Sequence, residues 1–271
     1  MPDPLLRVRA RPWMLCRMSR PLALVTGPTA GIGLSFAHQL AASDHDLVLV
    51  ARNTERLEAL AGELRKKYGV EVEVLTADLS DRVALAAVEA RVAQTERPVD
   101  LLVNNAGFGL KHKFLENSID DEQQMLDVLV TAVLRLTHAA LRAMVARGSG
   151  SIVNVSSVAG YLPRGSYSAA KAYVTSLSEW ADLTYRDQGV RVMALLPGFT
   201  HTEFHDRMSV DKGSAPTWMW LDADRLVRDA LADLAKGRRI SVPSKRYKVL
   251  SAAAKYTPTS IQARFQGLGR G

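Results

Sequence analysis

The nine residues SYSAAKAYV, at positions 166–174, place Tyr167 four positions ahead of Lys171. On a helix this spacing puts both side chains on one face, where they can touch. A tyrosine with its ordinary pKa of about 10 is a poor proton carrier at neutral pH, but a neighbouring ammonium favours the phenolate and lowers that pKa. The stretch therefore predicts a general acid/base pair. An isolated tyrosine and lysine four positions apart are also common on the surface of amphipathic helices.

A glycine-rich segment, TGPTAGIG at 26–33, follows the first apolar run. Gly27, Gly31 and Gly33 would open the next helix without side chains, so that a pyrophosphate could approach the backbone N–H groups and the positive end of the helix dipole. The spacing differs from the common G-x-G-x-x-G fingerprint. A tight strand-to-helix turn explains three glycines equally well, but their position after the first strand of an alternating pattern favours a nucleotide site.

The second apolar run, DLVLVAR, ends where an acidic side chain normally accepts the ribose hydroxyls of NAD. This chain has Ala51 and Arg52 there. A guanidinium offers charge-assisted hydrogen bonds to a 2′-phosphate, which a carboxylate would repel. Arg52 therefore favours NADP(H), and the alternative is an exposed arginine that begins a loop.

Apolar runs alternate with longer amphipathic segments along most of the chain. This order predicts an α/β fold, a single-domain doubly wound parallel sheet with helices on both faces. The segment 54–68 has the helical period, with Thr54 as its expected N-cap. The runs expected as strands are LALVTG, DLVLVA, VEVEVLTA, VDLLVNNAG, SIVNVSS and VRVMALLPG.

The chain of 271 residues carries a net charge of +7, which is concentrated at its ends. Residues 1–20 carry +4 and residues 236–271 carry +9, so residues 21–235 are acidic, at −6. No helix-turn-helix, zinc-finger or RNA-binding aromatic pattern appears, so nucleic acid is not an expected partner. The basic C-terminal tail is either a solvated surface or a contact for an anionic membrane or an acidic carrier group on the substrate.

The location of the protein is predicted from its single cysteine and its hydropathy. Cys16 is the only cysteine, so the chain can form no internal disulfide. No apolar run approaches the roughly 18 residues of a membrane-spanning helix, and the first twenty residues lack the apolar stretch of a secretory signal. We expect a cytoplasmic protein without a transmembrane segment, whose residues 1–20 form a disordered basic extension with an alternative start at Met18.

Taken together and in order, six motifs resemble the short-chain dehydrogenase/reductase family, from about Leu22 to Thr202. They are TGPTAGIG, TADLS, NNAG at 104–107, NVSS at 154–157, YSAAK at 167–171 and PGFTHT at 197–202. The resemblance implies a Rossmann-type fold, which we expect over residues 21–243. The irregular segment at about 203–222 is expected to form a lid over a pocket, and the basic tail at 244–271 is expected to be partly helical. The resemblance also implies a nicotinamide cofactor and hydride transfer between that cofactor and a carbonyl or alcohol.

The resemblance carries residue roles onto matching positions. Tyr167 would exchange a proton with the substrate oxygen that Ser157 holds, and Lys171 would bind the nicotinamide ribose. Asp78 would lie at the adenine, 104–107 would line the cofactor channel, and Thr202 would hold the carboxamide. The cofactor-binding residues expected on this basis are Gly27, Thr29, Gly31, Ile32, Gly33, Arg52, Asp78, Leu79, Asn105, Ala106, Gly107, Tyr167, Lys171, Pro197, Gly198, Thr200 and Thr202.

Two positions depart from the family pattern. The interval from Ser157 to Tyr167 is short, so Ser156 is an alternative for the serine role. Leu129 stands where the family usually has an asparagine that fixes a proton-carrying water, and leucine cannot hydrogen-bond. Either the relay is dispensable or supplied by another group, or turnover is weakened or lost. The expected function is an NADP(H)-dependent oxidoreductase, and the alternative is a nucleotide-binding protein acting as a sensor or assembly subunit.

Several other groups of residues are candidate sites. His201 and His205 are four apart, but no third ligand accompanies them, so no metal site is expected. Asp120, Asp121 and Glu122 precede an apolar period and are typical of the first turn of a helix. Apolar side chains in the lid suit a lipophilic substrate, or else core packing or subunit contact: Phe204, Met208, Trp218, Met219 and Trp220. By resemblance, a homo-dimer or homo-tetramer would form through helices that begin near Asp121 and Tyr167.

Overall fold

The fold was analysed in a computed structural model, which describes residues 20–201 and 217–257. The predictions for the N-terminal extension, for Cys16, for Thr202, for most of the lid, including Phe204, His205 and Met208, and for residues 258–271 lie outside these ranges.

Within the described residues, seven parallel strands form one sheet in the order β3-β2-β1-β4-β5-β6-β7. The strand order reverses between β1 and β4, and such a switch point is where ligands bind in open α/β sheets. This architecture confirms the predicted doubly wound α/β fold. The strands are β1 Leu22–Thr26, β2 Asp46–Ala51, β3 Val72–Thr76, β4 Leu101–Asn104, β5 Gly150–Val155, β6 Val190–Leu195 and β7 Ile240–Ser241.

Helices cover both faces of the sheet. One buried cluster contains apolar side chains of α1, α2 and α7, and the opposite cluster contains those of α3, α5 and α6. Successive residues of β1 alternate between the two clusters, so this strand is buried on both sides. The helices are α1 Gly31–Ala42, α2 Thr54–Tyr68, α3 Arg82–Val92, α4 Ile119–Leu126, α5 Val133–Arg147, α6 Ser166–Tyr185, α7 Ala223–Ala235 and α8 Lys245–Tyr256.

Helix starts follow the expected capping chemistry with one correction. Asn53, not Thr54, is the N-cap of α2, because the Asn53 side chain accepts a hydrogen bond from the Arg56 N–H at 2.8 Å. Ser118 caps α4 by accepting from the Asp121 N–H. The acidic run Asp120–Glu122 therefore lies in the first turn of α4, as predicted.

One described helical stretch is long and apolar enough to cross a membrane, contrary to the expectation of none. It runs from Ile119 to Arg147 through α4, a π-helical turn (Asp127–Ala132) and α5, and its most apolar window has a mean hydropathy of 1.5. Half of this window is buried inside the protein, where α5 residues such as Leu136 and Ala140 pack against the sheet. A buried core helix passes the same test, so the stretch is weak evidence for a membrane span.

Candidate active site

The three predicted catalytic residues meet at the carboxyl edge of the sheet, beside the start of α6. Ser157 follows β5 and begins a 3₁₀ turn, Val158–Tyr161, whose Ala159 N–H donates to the Ser157 Oγ at 3.1 Å. Helix α6 begins directly after Gly165, whose φ of 93° turns the chain into the helix, and Tyr167 is its second residue. The Ser157 side chain lies close enough to the Tyr167 phenol to oppose the rise that burial causes in its pKa. The short interval between them therefore still brings the two hydroxyls together.

Ser156 does not face this site. Its side chain is buried, donates to the backbone carbonyl of Lys171 at 2.6 Å and bonds the Thr175 hydroxyl at 2.8 Å. These bonds tie β5 to α6 and occupy the hydroxyl. Of the two serines considered, Ser157 is the one whose hydroxyl reaches Tyr167.

Lys171 lies one helical turn beyond Tyr167, as the spacing predicted. Its ammonium is 5.7 Å from the centre of the Tyr167 ring and donates a hydrogen bond to the Val155 carbonyl at 2.7 Å. Only 6% of the residue is exposed, and this burial lowers its pKa from 10.5 to about 8. Burial penalises the charged form, so a bound partner that neutralises it would be stabilising.

The prediction that Lys171 lowers the pKa of Tyr167 is wrong for this structure. Burial raises the pKa of the Tyr167 phenol to about 12, and the hydrogen bond with Ser157 opposes that rise without cancelling it. The physical reason is that desolvation of the phenolate outweighs a lysine whose proton is donated to Val155. Tyr167 is consequently a protonated phenol, ready to donate a proton.

Within the glycine turn at 26–33, Gly27 and Gly31 adopt the left-handed backbone conformation, with φ of 65° and 55°. A Cβ on Gly33 would lie 2.2 Å from the Gly27 carbonyl oxygen, so no side chain fits there. The N-cap of α1, Ala30, offers no side-chain acceptor to the first N–H groups of the helix. Such an uncapped, side-chain-free helix start fits a pyrophosphate group.

Asn105 fastens the glycine turn to the end of β4. Its Nδ2 donates to the carbonyls of Thr26 and Gly27, both at 3.0 Å, and its N–H donates to the Thr26 hydroxyl. The Ala106 N–H donates to the same hydroxyl at 3.0 Å. Asn105 and Ala106 therefore lie beside the glycine turn.

Asn104 does not line this channel, which corrects the expectation for the first residue of NNAG. It is 3% exposed, and its Nδ2 donates to Asn154 at 2.8 Å and to Thr137 at 3.2 Å. Asn154 in turn donates to Ser178 of α6. Asn104 is the last residue of β4, and its side chain points into the protein. It therefore belongs to a buried hydrogen-bond network that links β4 and β5 to the helices packed on them.

The adenosine end of the predicted cofactor site contains opposite charges. The Nη1 of Arg52 lies 3.8 Å from the Oδ2 of Asp78, and 63% of the Arg52 side chain is exposed. Burial alone would raise the pKa of Asp78, but hydrogen bonds from the Ser80 hydroxyl and N–H, together with the charge of Arg52, lower it. The neighbouring Leu79 packs into the core, so only its backbone is available to a ligand.

At the opposite end, the loop after β6 runs beside Ser157. The Pro197 carbonyl accepts from the Val158 N–H at 3.1 Å, and the Thr200 hydroxyl donates to the Gly198 carbonyl at 3.0 Å. Glycine is required at position 198 for a reason that the sequence did not reveal. A Cβ there would lie 2.0 Å from the ring of Tyr247 on α8.

Comparison with known proteins identifies the family. The profile described as short chain dehydrogenase matches residues 21–213, well over half of the chain. This chain belongs to the short-chain dehydrogenase family. The family match supports the assignment of an oxidoreductase with a nicotinamide-binding fold.

Individual relatives of this short-chain dehydrogenase differ in what their names describe. A very-long-chain 3-oxoacyl-CoA reductase from Anas platyrhynchos is 31% identical over 209 residues, which cover 73% of this chain and 66% of the relative. A galactitol 2-dehydrogenase from Cereibacter sphaeroides is 35% identical over 208 residues, 75% of this chain and 80% of the relative. The structure of a short-chain dehydrogenase from Sphingobium yanoikuyae in complex with NADPH is 37% identical in sequence and superposes with a TM-score of 0.80. The match covers 86% of this chain and 93% of the Sphingobium chain.

Leu129, the main departure from the family pattern, lies in the π-helical turn between α4 and α5. It is 1% exposed and packs in an apolar cluster with Met125, Ala170 and Tyr167. A Cβ on Gly107 would lie 2.7 Å from its Cδ2. Leu129 therefore fills this position with an apolar side chain that packs in the same cluster as Tyr167 and lies close to Gly107.

Two residues that the sequence analysis missed also support this short-chain dehydrogenase site. Glu122 of α4 is buried and accepts hydrogen bonds from Ser166, the residue before Tyr167, and from Asn117. Tyr247 of α8 packs on Gly198. No local sequence pattern could have indicated either contact, since each joins segments far apart in the chain.

The described residues contain no group of three or more His, Cys, Asp or Glu side chains that could hold a metal ion, and His205 lies outside these residues. The ring of His201 instead stacks on Trp220 with the ring centres 4.9 Å apart. This stacking places His201 in an aromatic group with Trp220 and Phe199.

Proposed function

We propose that this chain is an NADP(H)-dependent oxidoreductase that interconverts a carbonyl compound and the corresponding alcohol, most effectively in the reducing direction. The observation that carries the proposal is the meeting of the Ser157 and Tyr167 side chains beside the end of β5, with the Lys171 ammonium buried one helical turn away and 5.7 Å from the centre of the Tyr167 ring. This arrangement presents one hydroxyl to hold a substrate oxygen and a second, protonated hydroxyl to supply a proton to it.

In the proposed reaction, Ser157 holds the carbonyl oxygen through a hydrogen bond, and this contact polarises the C=O bond. The bound NADPH would supply the hydride that forms the new C–H bond. Tyr167 donates its phenolic proton to the oxygen as the C=O π bond breaks, and it is left as a phenolate. The Lys171 ammonium stabilises that phenolate until a solvent proton restores the phenol. Burial of Tyr167 favours the protonated form that begins this sequence.

The preference for NADP(H) over NAD(H) rests on the edge of the sheet at β2. Arg52 follows the strand with most of its side chain exposed, and no carboxylate stands at the strand end itself. Asp78 faces Arg52 at 3.8 Å, which would keep the guanidinium at the ribose side of the site. An arginine so placed can bind a 2′-phosphate through charge-assisted hydrogen bonds. Thr29, Ile32 and the glycine turn would hold the remaining phosphates and ribose.

A lipophilic substrate is proposed from the side chains beyond Ser157. Phe199, His201 and Trp220 form an aromatic group, with the Phe199 and Trp220 ring centres 5.7 Å apart. Trp218, two residues before Trp220 in the chain, is 51% exposed. Aromatic surface of this kind gains most from burying an apolar ligand. A very-long-chain acyl reductase among the relatives supports this class, whereas the galactitol dehydrogenase is the counter-example.

A second candidate function is a nucleotide-binding protein with weak or no catalysis, acting as a sensor or assembly subunit. The observation that favours it is Leu129, whose side chain fills the relay position with an apolar contact to Tyr167. Without a proton supply, Tyr167 would be restored slowly after each turnover. In that case the chain would still bind the nucleotide through the glycine turn and Arg52.

A screen of NADPH oxidation against ketones, aldehydes and 3-ketoacyl compounds separates the two candidates. Direct titration of NADPH and NADH binding by fluorescence accompanies it. Turnover with any carbonyl class, abolished by Tyr167→Phe, supports the oxidoreductase. Tight NADPH binding with no turnover across the whole panel selects the sensor or assembly role.

Assembly and location are also proposals. The outer face of α6 exposes Tyr173, Trp180 and Leu183, which suits the homo-dimer or homo-tetramer expected from the family. Trp180→Ser should reduce the mass measured by light scattering if this face is the interface.

We place the protein in the cytoplasm. A peripheral membrane contact through the basic tail is supported by the exposed apolar residues Val249 and Tyr256 of α8, and anionic vesicles test it.

A further inference from the structure

We propose that Tyr247 of the C-terminal helix α8 is a positioning residue that sets which substrates the site accepts. The inference rests on the proposed carbonyl reductase function, but one of its tests needs no turnover. The residue does not touch the reacting groups. It acts by holding the two segments of the chain that carry Phe199, His201 and Trp220, the aromatic wall that we propose for the substrate side of the site.

The Tyr247 hydroxyl bridges these two segments. It accepts a hydrogen bond from the Phe199 N–H at 3.0 Å and donates one to the Met219 carbonyl at 2.8 Å. The side chain is 3% exposed, and burial raises the pKa of its phenol, so the hydroxyl keeps its donor proton at neutral pH. One buried hydroxyl thus satisfies a backbone donor and a backbone acceptor that lie far apart in sequence.

The ring of Tyr247 is held by the loop after β6. A Cβ at position 198 would lie 2.0 Å from the ring, so Gly198 leaves the space that the ring occupies. The ring shares an apolar cluster with Val158, Tyr161 and Phe199. These contacts fix the position of the Tyr247 ring, and with it the position of the Tyr247 hydroxyl.

The segments that Tyr247 joins also pair with each other. Leu221 donates its N–H to the Phe199 carbonyl at 2.8 Å and accepts from the His201 N–H at 3.0 Å. This pairing brings Trp220 against both Phe199 and His201. A shift of either segment would separate the rings that form the wall.

The same loop is connected to the catalytic serine. Pro197, two residues before Phe199, accepts a hydrogen bond from the Val158 N–H, which follows Ser157. Tyr247 therefore holds the aromatic wall at a fixed distance from the hydroxyl that binds the substrate oxygen. A bulky ketone contacts both features at once, whereas a small one contacts the hydroxyls alone.

The test is Tyr247→Phe, which keeps the ring in the space above Gly198 and removes the bridging hydroxyl. We expect the KM for a bulky aromatic ketone to rise about three- to tenfold, the effect of one lost hydrogen bond. The kcat and KM for a small aliphatic ketone and the affinity for NADPH should stay near wild type. The matched control is Tyr68→Phe at the end of α2, whose hydroxyl contacts His38 away from the site. Equal changes for both ketones, or none, would overturn the proposal.

Hydrogen–deuterium exchange gives a readout that does not depend on activity. In Tyr247→Phe, peptides containing Phe199 should exchange about two- to tenfold faster, because the amide loses its acceptor. Faster exchange confined to α8 would mean that Tyr247 only anchors its own helix. If Tyr247→Phe does not fold, Gly198→Ala displaces the ring from the other side and should raise the same KM. Failure of the proposed function would leave the exchange result intact.

Discussion

The ammonium of Lys171 donates its hydrogen bond to the Val155 carbonyl at 2.7 Å, and not to the Tyr167 hydroxyl. The two residues share a helix face, yet the lysine is bound to the end of β5, and Ser157 is the side chain that opposes the raised pKa of the tyrosine. The lysine therefore acts on the tyrosine through charge at 5.7 Å, measured to the ring centre. Single substitutions can therefore test the tyrosine and the lysine separately.

Replacing Tyr167 by phenylalanine removes the transferable proton and keeps the ring. We expect kcat to fall by about 10²- to 10⁴-fold, the usual contribution of a general acid/base, while the Kd for NADPH stays near wild type. Steady-state rates and fluorescence titration measure these quantities. Tyr173→Phe, on the exposed side of the same helix, is the control. A fully active Tyr167→Phe enzyme would contradict the role assigned to this residue.

Replacing Arg52 by aspartate should weaken NADPH binding far more than NADH binding. Loss of a charged hydrogen-bond partner costs about 1.5 to 3 kcal/mol, which is roughly a ten- to hundredfold loss of affinity. Titrations with both nucleotides measure the difference. Arg82→Asp, at the exposed start of α3, controls for the change in net charge. Equal losses for the two nucleotides would show that Arg52 does not recognise the 2′-phosphate.

Replacing Leu129 by asparagine should raise kcat at neutral pH, because the amide can hold a water that returns protons towards Tyr167. The surroundings are apolar, so an unpaired amide should also lower the free energy of unfolding by about 1 to 3 kcal/mol. Urea unfolding and steady-state rates are measured on the same sample. A folded variant that binds NADPH and is no faster would mean that protons reach Tyr167 by another route.

The buried lysine predicts a pH dependence of stability. Its pKa is 10.5 when unperturbed and about 8 in the folded protein, so between these values the unfolded chain binds more protons. Its contribution to the free energy of unfolding therefore rises with pH in this window, by up to about 1.4 kcal/mol per pH unit. Below pH 8 the cost of burying the charge is present in full. Tyr167, raised from 10 to about 12, acts in the opposite sense only above pH 10.

Urea unfolding of wild type and Lys171→Met at several values between about pH 7 and 9.5 checks this slope. We expect the wild type to gain stability relative to the variant as the pH rises. The lost bond to Val155 shifts the variant by a constant amount and leaves the slope unaffected. If the free energies of unfolding of the two proteins changed in parallel with pH, the pKa of Lys171 would not be lowered in the folded protein.

Truncations at the two ends should differ. Deletion of residues 1–17 should leave the melting temperature and turnover unchanged, since β1 begins at Leu22. Deletion of residues 244–271 should lower both, because it removes Tyr247 from above Gly198 and the helix that packs beside Val158 and Tyr161. Thermal unfolding measures each. A stable, active enzyme without residues 244–271 would show that α8 is dispensable.

The features that the sequence alone determined are those that depend on local geometry. Spacing by four places Tyr167 and Lys171 on one face of any helix, and alternating apolar runs require a sheet covered on both sides. Glycines at 27, 31 and 33 leave the turn after the first apolar run without side chains, whatever the rest of the chain does. The family motifs, read in order, were sufficient for the fold and for the class of chemistry.

The tertiary structure decided which partner each polar group bonds and how strongly burial shifts its pKa. Ser156 and Asn104 stand in motifs next to functional residues, yet both point into the protein and bond neighbouring elements. Tyr247 reaches Gly198 from a helix that the motifs do not include. Desolvation, hydrogen-bond competition and close packing depend on atoms brought together from distant segments, so the raised pKa of Tyr167 could be known only once the chain was folded.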